Sequence, residues 1–201
     1  MPRGNLEAIV PRPLALHLIN RGLLPEKKYY EAFQICRRNR LDFNTLITPD
    51  FDPDMLIDQL SHRPDFLNLF ITSLADLAMC EKIRHILQSR YQSLIEPILT
   101  AFAREARWCE ALQCVKSTPA LIKYLLYLAP TKTTLYGAAL ESLDLDCAFA
   151  VAQQSQMDPQ EYRPFLTGLK EMTPEKAKFT VLDHIGKHKE ALALLFTVDP
   201  C

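Results

Sequence analysis

An N-capping side chain followed directly by proline recurs along this chain, at Asp52-Pro53, Asp158-Pro159 and Thr173-Pro174, and Pro64 and Pro119 open apolar stretches in a similar way. Proline fits the first position of an α-helix, where its missing N–H would have no intrahelical partner, and an oxygen just before it can accept from the next free amides. The pattern writes helix starts. With fourteen prolines and only five glycines, glycine-dependent hairpins must be rare, and no apolar/polar alternation marks a strand. An all-α chain is predicted.

The fullest packing unit lies between Asp144 and Leu166. Cys147, Ala148, Val151 and Ala152 recur at helical spacing and give a small apolar face that a neighbour can approach closely. The polar run Gln153 to Gln156 ends that helix. Asp158 is then the expected N-cap, Pro159 the first helical residue, and Glu161 the third residue of an Asp-type capping box. Two helices meeting there make a hairpin with a structural corner at Asp158, Pro159 and Glu161.

The same grammar extends along the chain. Glu31-Ala32-Phe33, Glu110-Ala111-Leu112, Cys147-Ala148-Phe149 and Glu190-Ala191-Leu192 form a degenerate repeat. One further unit near Ile71 brings the spacing to about 40 residues, the length of a two-helix repeat. The alanine lets a partner helix come close. These signals predict a right-handed stack of helical hairpins, a TPR-like α-solenoid, with about five two-helix units over residues 14–201 and a connecting segment over residues 1–13. Helices are expected at 14–24, from Tyr29 to near Asn39, briefly at 41–46, through Leu60 from Pro53, and onward from Pro64. Pro97 must sit in a first turn or kink its helix.

Chemistry-bearing constellations are sparse. The histidines show no arrangement with Ser, Cys or carboxylates that would make a triad, and there is no nucleophile elbow or phosphate-cradling glycine loop. His184 and His188 have metal-ligand spacing, but Gly186 between them reads as a helix corner that breaks their shared face. Cys36, Cys80, Cys109, Cys114, Cys147 and Cys201 are scattered without a CxxC pair and read as small hydrophobes in a reduced compartment. No catalytic, cofactor-binding or metal-ligating residue is assigned, and no cofactor is expected. No apolar run approaches the ~20 residues of a membrane span, and the N-terminus lacks a signal-peptide core, so no membrane partner is expected and the cytosol or nucleus is the expected compartment.

Charge is the one uneven feature. Residues 1–50 carry eight Lys/Arg against five acids, whereas acids predominate in the remainder. Arg37, Arg38 and Arg40 at a helix C-terminus are favourable to the helix dipole without any ligand. The functional alternative is that Lys27, Lys28, Arg37, Arg38 and Arg40 contact RNA phosphates or an acidic partner. An interaction scaffold is the default for such a stack; a coat or transport-complex solenoid and a helical RNA-binding module are the alternatives.

Three stretches add an identity of a different kind: MPRGNLEAIVPRPL at the start, KKYYEAFQICRRNRLDFNTL at Lys27 to Leu46, and SQMDPQEYRPFL ending at Leu166, with a weaker echo in LNLFITSL at Leu67 to Leu74. Together they resemble the largest-subunit family of the Elongator complex, in the helical-repeat part that follows two β-propellers. The resemblance implies an excerpt of a longer protein. It also implies a non-catalytic scaffold that supports modification of the wobble uridine of transfer RNAs. The implied partners are the other Elongator subunits, including the one carrying radical-SAM and acetyltransferase-like chemistry, with transfer RNA contacted indirectly. Homodimerisation in that family lies outside this segment.

Overall fold

The structure is a computed structural model that describes residues 11–115 and 118–198. Most of the connecting segment expected over residues 1–13, and with it the start of the MPRGNLEAIVPRPL stretch, lies outside the described residues. Every regular element described is helical. The chain divides into two compact units, Met1–Glu105 and Ala106–Cys201.

In the first unit α1 (Arg12–Leu18) begins earlier than predicted and runs into a π turn at Ile19–Leu23. Pro11 supplies the extended N-cap backbone and Pro13 falls inside the first turn, so both prolines fit the helix start. Helix α2 (Tyr29–Asn39) buries Tyr29, Ala32, Phe33 and Cys36, the row read from the sequence. The short third helix is instead a 3₁₀ turn, Phe43–Leu46, whose N-cap Asp42 accepts from the Asn44 amide at 2.9 Å. Four helices follow, α3 (Pro53–Leu60), α4 (Pro64–Ser73), α5 (Leu77–Arg90) and α6 (Ile95–Arg104). Pro97 is the third residue of α6, so it sits in the first turn. Helix α3 packs on α5 and α4 on α6, as stacked hairpins do. Leu56, Ile57, Leu60, Phe70 and Ile71 are fully buried between them, each contributing roughly 1.5–3 kcal/mol of apolar burial.

The second unit holds α7 (Trp108–Val115), α8 (Pro119–Leu128), α9 (Lys132–Glu141), α10 (Leu145–Gln154), α11 (Pro159–Glu171), α12 (Pro174–His184) and α13 (His188–Val198). Helix α7 packs on α9 and α8 on α10, which continues the hairpin logic. The order then inverts: α11 packs on α10, and α12 returns against α9. All four alanines of the degenerate repeat are 0–2% exposed, and the residue named for the missed unit, Ile71, is 0% exposed.

Corners are made with few glycines. Arg40, Ala106, Leu143, Gln156 and Gly186 each have positive φ at the end of a helix, and only the last is glycine. At three of these corners the chain closes a Schellman bond, from Leu41 N–H to Cys36 O (2.9 Å), Met157 N–H to Ala152 O (3.1 Å) and Lys187 N–H to Leu182 O (2.8 Å). The next helix often starts with a capping carboxylate. Asp144 accepts from the Cys147 amide at 2.9 Å and Asp158 from the Gln160 amide at 2.8 Å. Glu161 lies exposed in the first turn of α11, where a negative charge suits the helix dipole, but it accepts no hydrogen bond from the Asp158 amide, so the expected capping box is not closed. Thr173 occupies the N-cap position of α12 without a side-chain cap bond.

Candidate functional site

The basic residues singled out in the sequence do not form one patch. Lys27 and Lys28 precede α2, and Arg37, Arg38 and Arg40 lie at its far end, roughly 16 Å away at 1.5 Å rise per residue. Each of the two lysines already faces a carboxylate. Lys27 Nζ lies 3.0 Å from Asp52, which also caps α3, and Lys28 Nζ lies 2.6 Å from Glu26. These carboxylate partners hold both ammonium groups above their ordinary pKa.

The arginine end is better built for recognition. Arg37 is exposed, and its guanidinium carbon sits 4.7 Å from the centre of the buried Phe66 ring. Arg63, from the turn before α4, approaches the same ring at 4.2 Å while clamping Asp65 with two hydrogen bonds of 3.1 and 2.9 Å. Tyr30 stacks on Phe66 at 6.3 Å and contacts His62 at 5.2 Å. An exposed guanidinium lying against an aromatic ring can still pair with a carboxylate or phosphate. Arg38 and Arg40 are also exposed. His62, Arg63 and Phe66 could not be joined to Arg37 from sequence, because their neighbourhood depends on α4 packing across α2. The only local signal was Arg63 three residues before Phe66.

Other reactive groups are engaged in packing. His184 stacks on Phe165 at 4.3 Å, and His188 Nδ1 lies 2.9 Å from Asp183, so the two histidines occupy different helices on either side of Gly186. Burial pushes the Cys80 and Cys147 thiols up to about 11 and raises Cys36 and Cys109. Such thiols stay protonated and inert near neutral pH. Among the described residues no group of three His, Cys, Asp or Glu side chains is placed to hold a metal ion. No described helix is long and apolar enough to cross a membrane.

A family model described as the ELP1 alpha-solenoid matches residues 77–169, from the start of α5 to near the end of α11. Elongator complex protein 1 of Schizosaccharomyces pombe is 30% identical to this chain, in an alignment covering 97% of the chain and 19% of that protein. The Saccharomyces cerevisiae protein of the same name is 26% identical over 98% of the chain, and that of Drosophila melanogaster 28% identical over 97%. Almost end to end, the chain is similar to a segment of Elongator complex protein 1. It spans about a fifth of the length of these relatives, 19% in each case. The three alignments run over 238 to 260 residues against 201 in this chain, so Elongator complex protein 1 carries residues in this region that have no counterpart here. The arginine edge on α2 precedes the residues matched by the ELP1 alpha-solenoid model but falls within a chain aligned almost end to end.

Proposed function

We propose that this chain is a non-catalytic scaffold segment of an Elongator complex, holding the subunit with radical-SAM and acetyltransferase-like chemistry while the wobble uridine of transfer RNAs is modified. The observation that carries this reading is the near-complete alignment to Elongator complex protein 1 on a chain of stacked helical hairpins. Stacks of this kind bury a core between neighbouring repeats and leave an extended surface for other subunits. The compartment that goes with this function is the cytosol or nucleus, and residues before α1 serve as the link from a preceding domain. Mixing the purified chain with the reconstituted catalytic Elongator subunit and measuring mass by light scattering on a sizing column tests the reading. Stable co-elution supports it; separate elution assigns the contact to other parts of the subunit and refutes a holding role for this segment.

A second reading, direct contact with transfer RNA, is favoured by the exposed Arg37 on Phe66 together with the exposed Arg38 and Arg40. In the same column assay with transfer RNA added, R37E/R38E/R40E removes RNA co-elution if this reading holds and leaves it unchanged if it does not.

A further inference from the structure

A cleft of about 570 Å³ lies along α10 and α11, lined by Leu145, Asp146, Phe149, Arg163, Leu166 and Lys170 among others. Its volume is in the range of sites that enclose a small ligand or one or two side chains. Phe149 is 38% exposed, an unusual state for phenylalanine in a packed helix pair. It is nevertheless held in place, because Tyr162 meets it edge-on at 5.6 Å and 72°. An aromatic fixed in this way offers apolar area at little further entropic cost on binding.

The rim is cationic. Arg163 and Lys170 are two turns apart on one face of α11, and the Arg163 guanidinium lies 6.0 Å from the Phe149 ring centre. No carboxylate pairs with Arg163 among the described residues. Lys170 Nζ reaches Asp146 at 3.2 Å, but the two side chains are 59% and 87% exposed. So exposed a pair is weak and exchangeable. The cleft therefore presents one uncommitted guanidinium, one loosely held ammonium, and an apolar floor of Leu145, Phe149 and Leu166.

We propose that the α10–α11 cleft docks a peptide segment of a partner protein in which a carboxylate lies next to an apolar side chain. The carboxylate pairs with Arg163 and draws Lys170 from Asp146, and the apolar side chain covers Phe149. Nucleic acid fits less well. Two cations offset by Asp146 are short of the basic stripe that phosphate binding uses, and a leucine-lined floor around a single aromatic offers few hydrogen bonds to a base edge. The proposal does not rest on the Elongator assignment, since its test needs only this chain.

Short random peptides displayed on phage are selected against the full chain, and the recovered sequences are synthesised with a fluorescent label for polarisation titrations. The expected sequences pair Asp or Glu with Leu, Ile or Phe. Their affinity is expected to fall about tenfold or more in R163E, in F149A and in K170E, and to weaken with added salt. Arg163 and Lys170 are exposed, so R163E and K170E are expected to keep the wild-type circular dichroism melt, and they decide the question even if F149A fails to fold. Recovery of basic or neutral peptides, no enrichment over R163E, or affinities indifferent to R163E and K170E would each overturn the proposal. So would binding of a labelled uridine oligomer in preference to the selected peptides with the same dependence on Arg163.

Discussion

Replacing Arg84 with methionine should be among the most damaging single changes in the first unit. Arg84 is 2% exposed. Its Nε donates to both carboxylate oxygens of Glu105, at 3.0 and 2.9 Å, and Nη1 donates to Gln88 at 2.8 Å. The guanidinium also covers Phe102 at 5.0 Å, and the Glu105 side chain is itself only 9% exposed. Removing one member of a buried pair costs about 3–5 kcal/mol, chiefly because a desolvated charge loses a strong partner. Methionine keeps much of the packing volume, so about 3 kcal/mol is the expected loss. Hydrogen exchange read by mass spectrometry localises it: the slowest amides of α5 and α6 should exchange roughly two orders of magnitude faster, at tenfold per 1.4 kcal/mol. The double variant R84M/E105L should recover most of the loss, since an apolar replacement of a buried pair is often neutral. A loss below about 1 kcal/mol for Arg84→Met, or losses that add in the double variant, would refute the assignment of this pair as a desolvated, coupled unit.

Two other expectations follow from local chemistry. Cys80 and Cys147 titrate at about 11 when folded against a reference of 9.0, so between those values the folded chain keeps protons that the unfolded chain has released. Stability is then intact below pH 9 and falls as pH rises toward 11; urea midpoints that stay flat over that window would contradict the buried-thiol reading. At the corners, an alanine Cβ at Gly186 would meet nothing within 4 Å, so its positive φ of 79° sets the cost alone. Gly186→Ala should lower stability by about 1 kcal/mol, and Ala106→Gly should raise it by about 0.5 kcal/mol after the unfolded-state entropy of glycine is offset. A neutral or stabilising Gly186→Ala in thermal denaturation would count against strain at that corner.

Helix beginnings were the most legible part of this chain, because proline and the side chain before it act within a few residues. Pro53, Pro64, Pro119, Pro159 and Pro174 each occupy the first helical position. Gly186 was legible as a corner for the same reason. Features set by distant segments were not. The charge on Lys27 is met by Asp52, and the stacking of Arg37 needs Phe66 brought in on another helix. The exchange of neighbours after α10 is likewise a tertiary choice, written in no local signal around Ser155 to Asp158. Local composition also left the start of α1 open, since Pro11 and Pro13 satisfy both an extended strand of chain and a helix N-terminus.

The return of α12 to α9 also bears on how this unit can change in length over evolution. Between α8 and α9 a whole hairpin can be gained or lost, because the surfaces created on either side are of the same kind and stability accrues from nearest neighbours. After α10 that modularity ends. Deleting α11 and α12 would bare the face of α9 and leave α13 without the helix it packs on. Insertions and deletions of full units are thus channelled to one end of the unit, and the Asp158 corner works as a full stop beyond which the reading frame of the repeats is fixed.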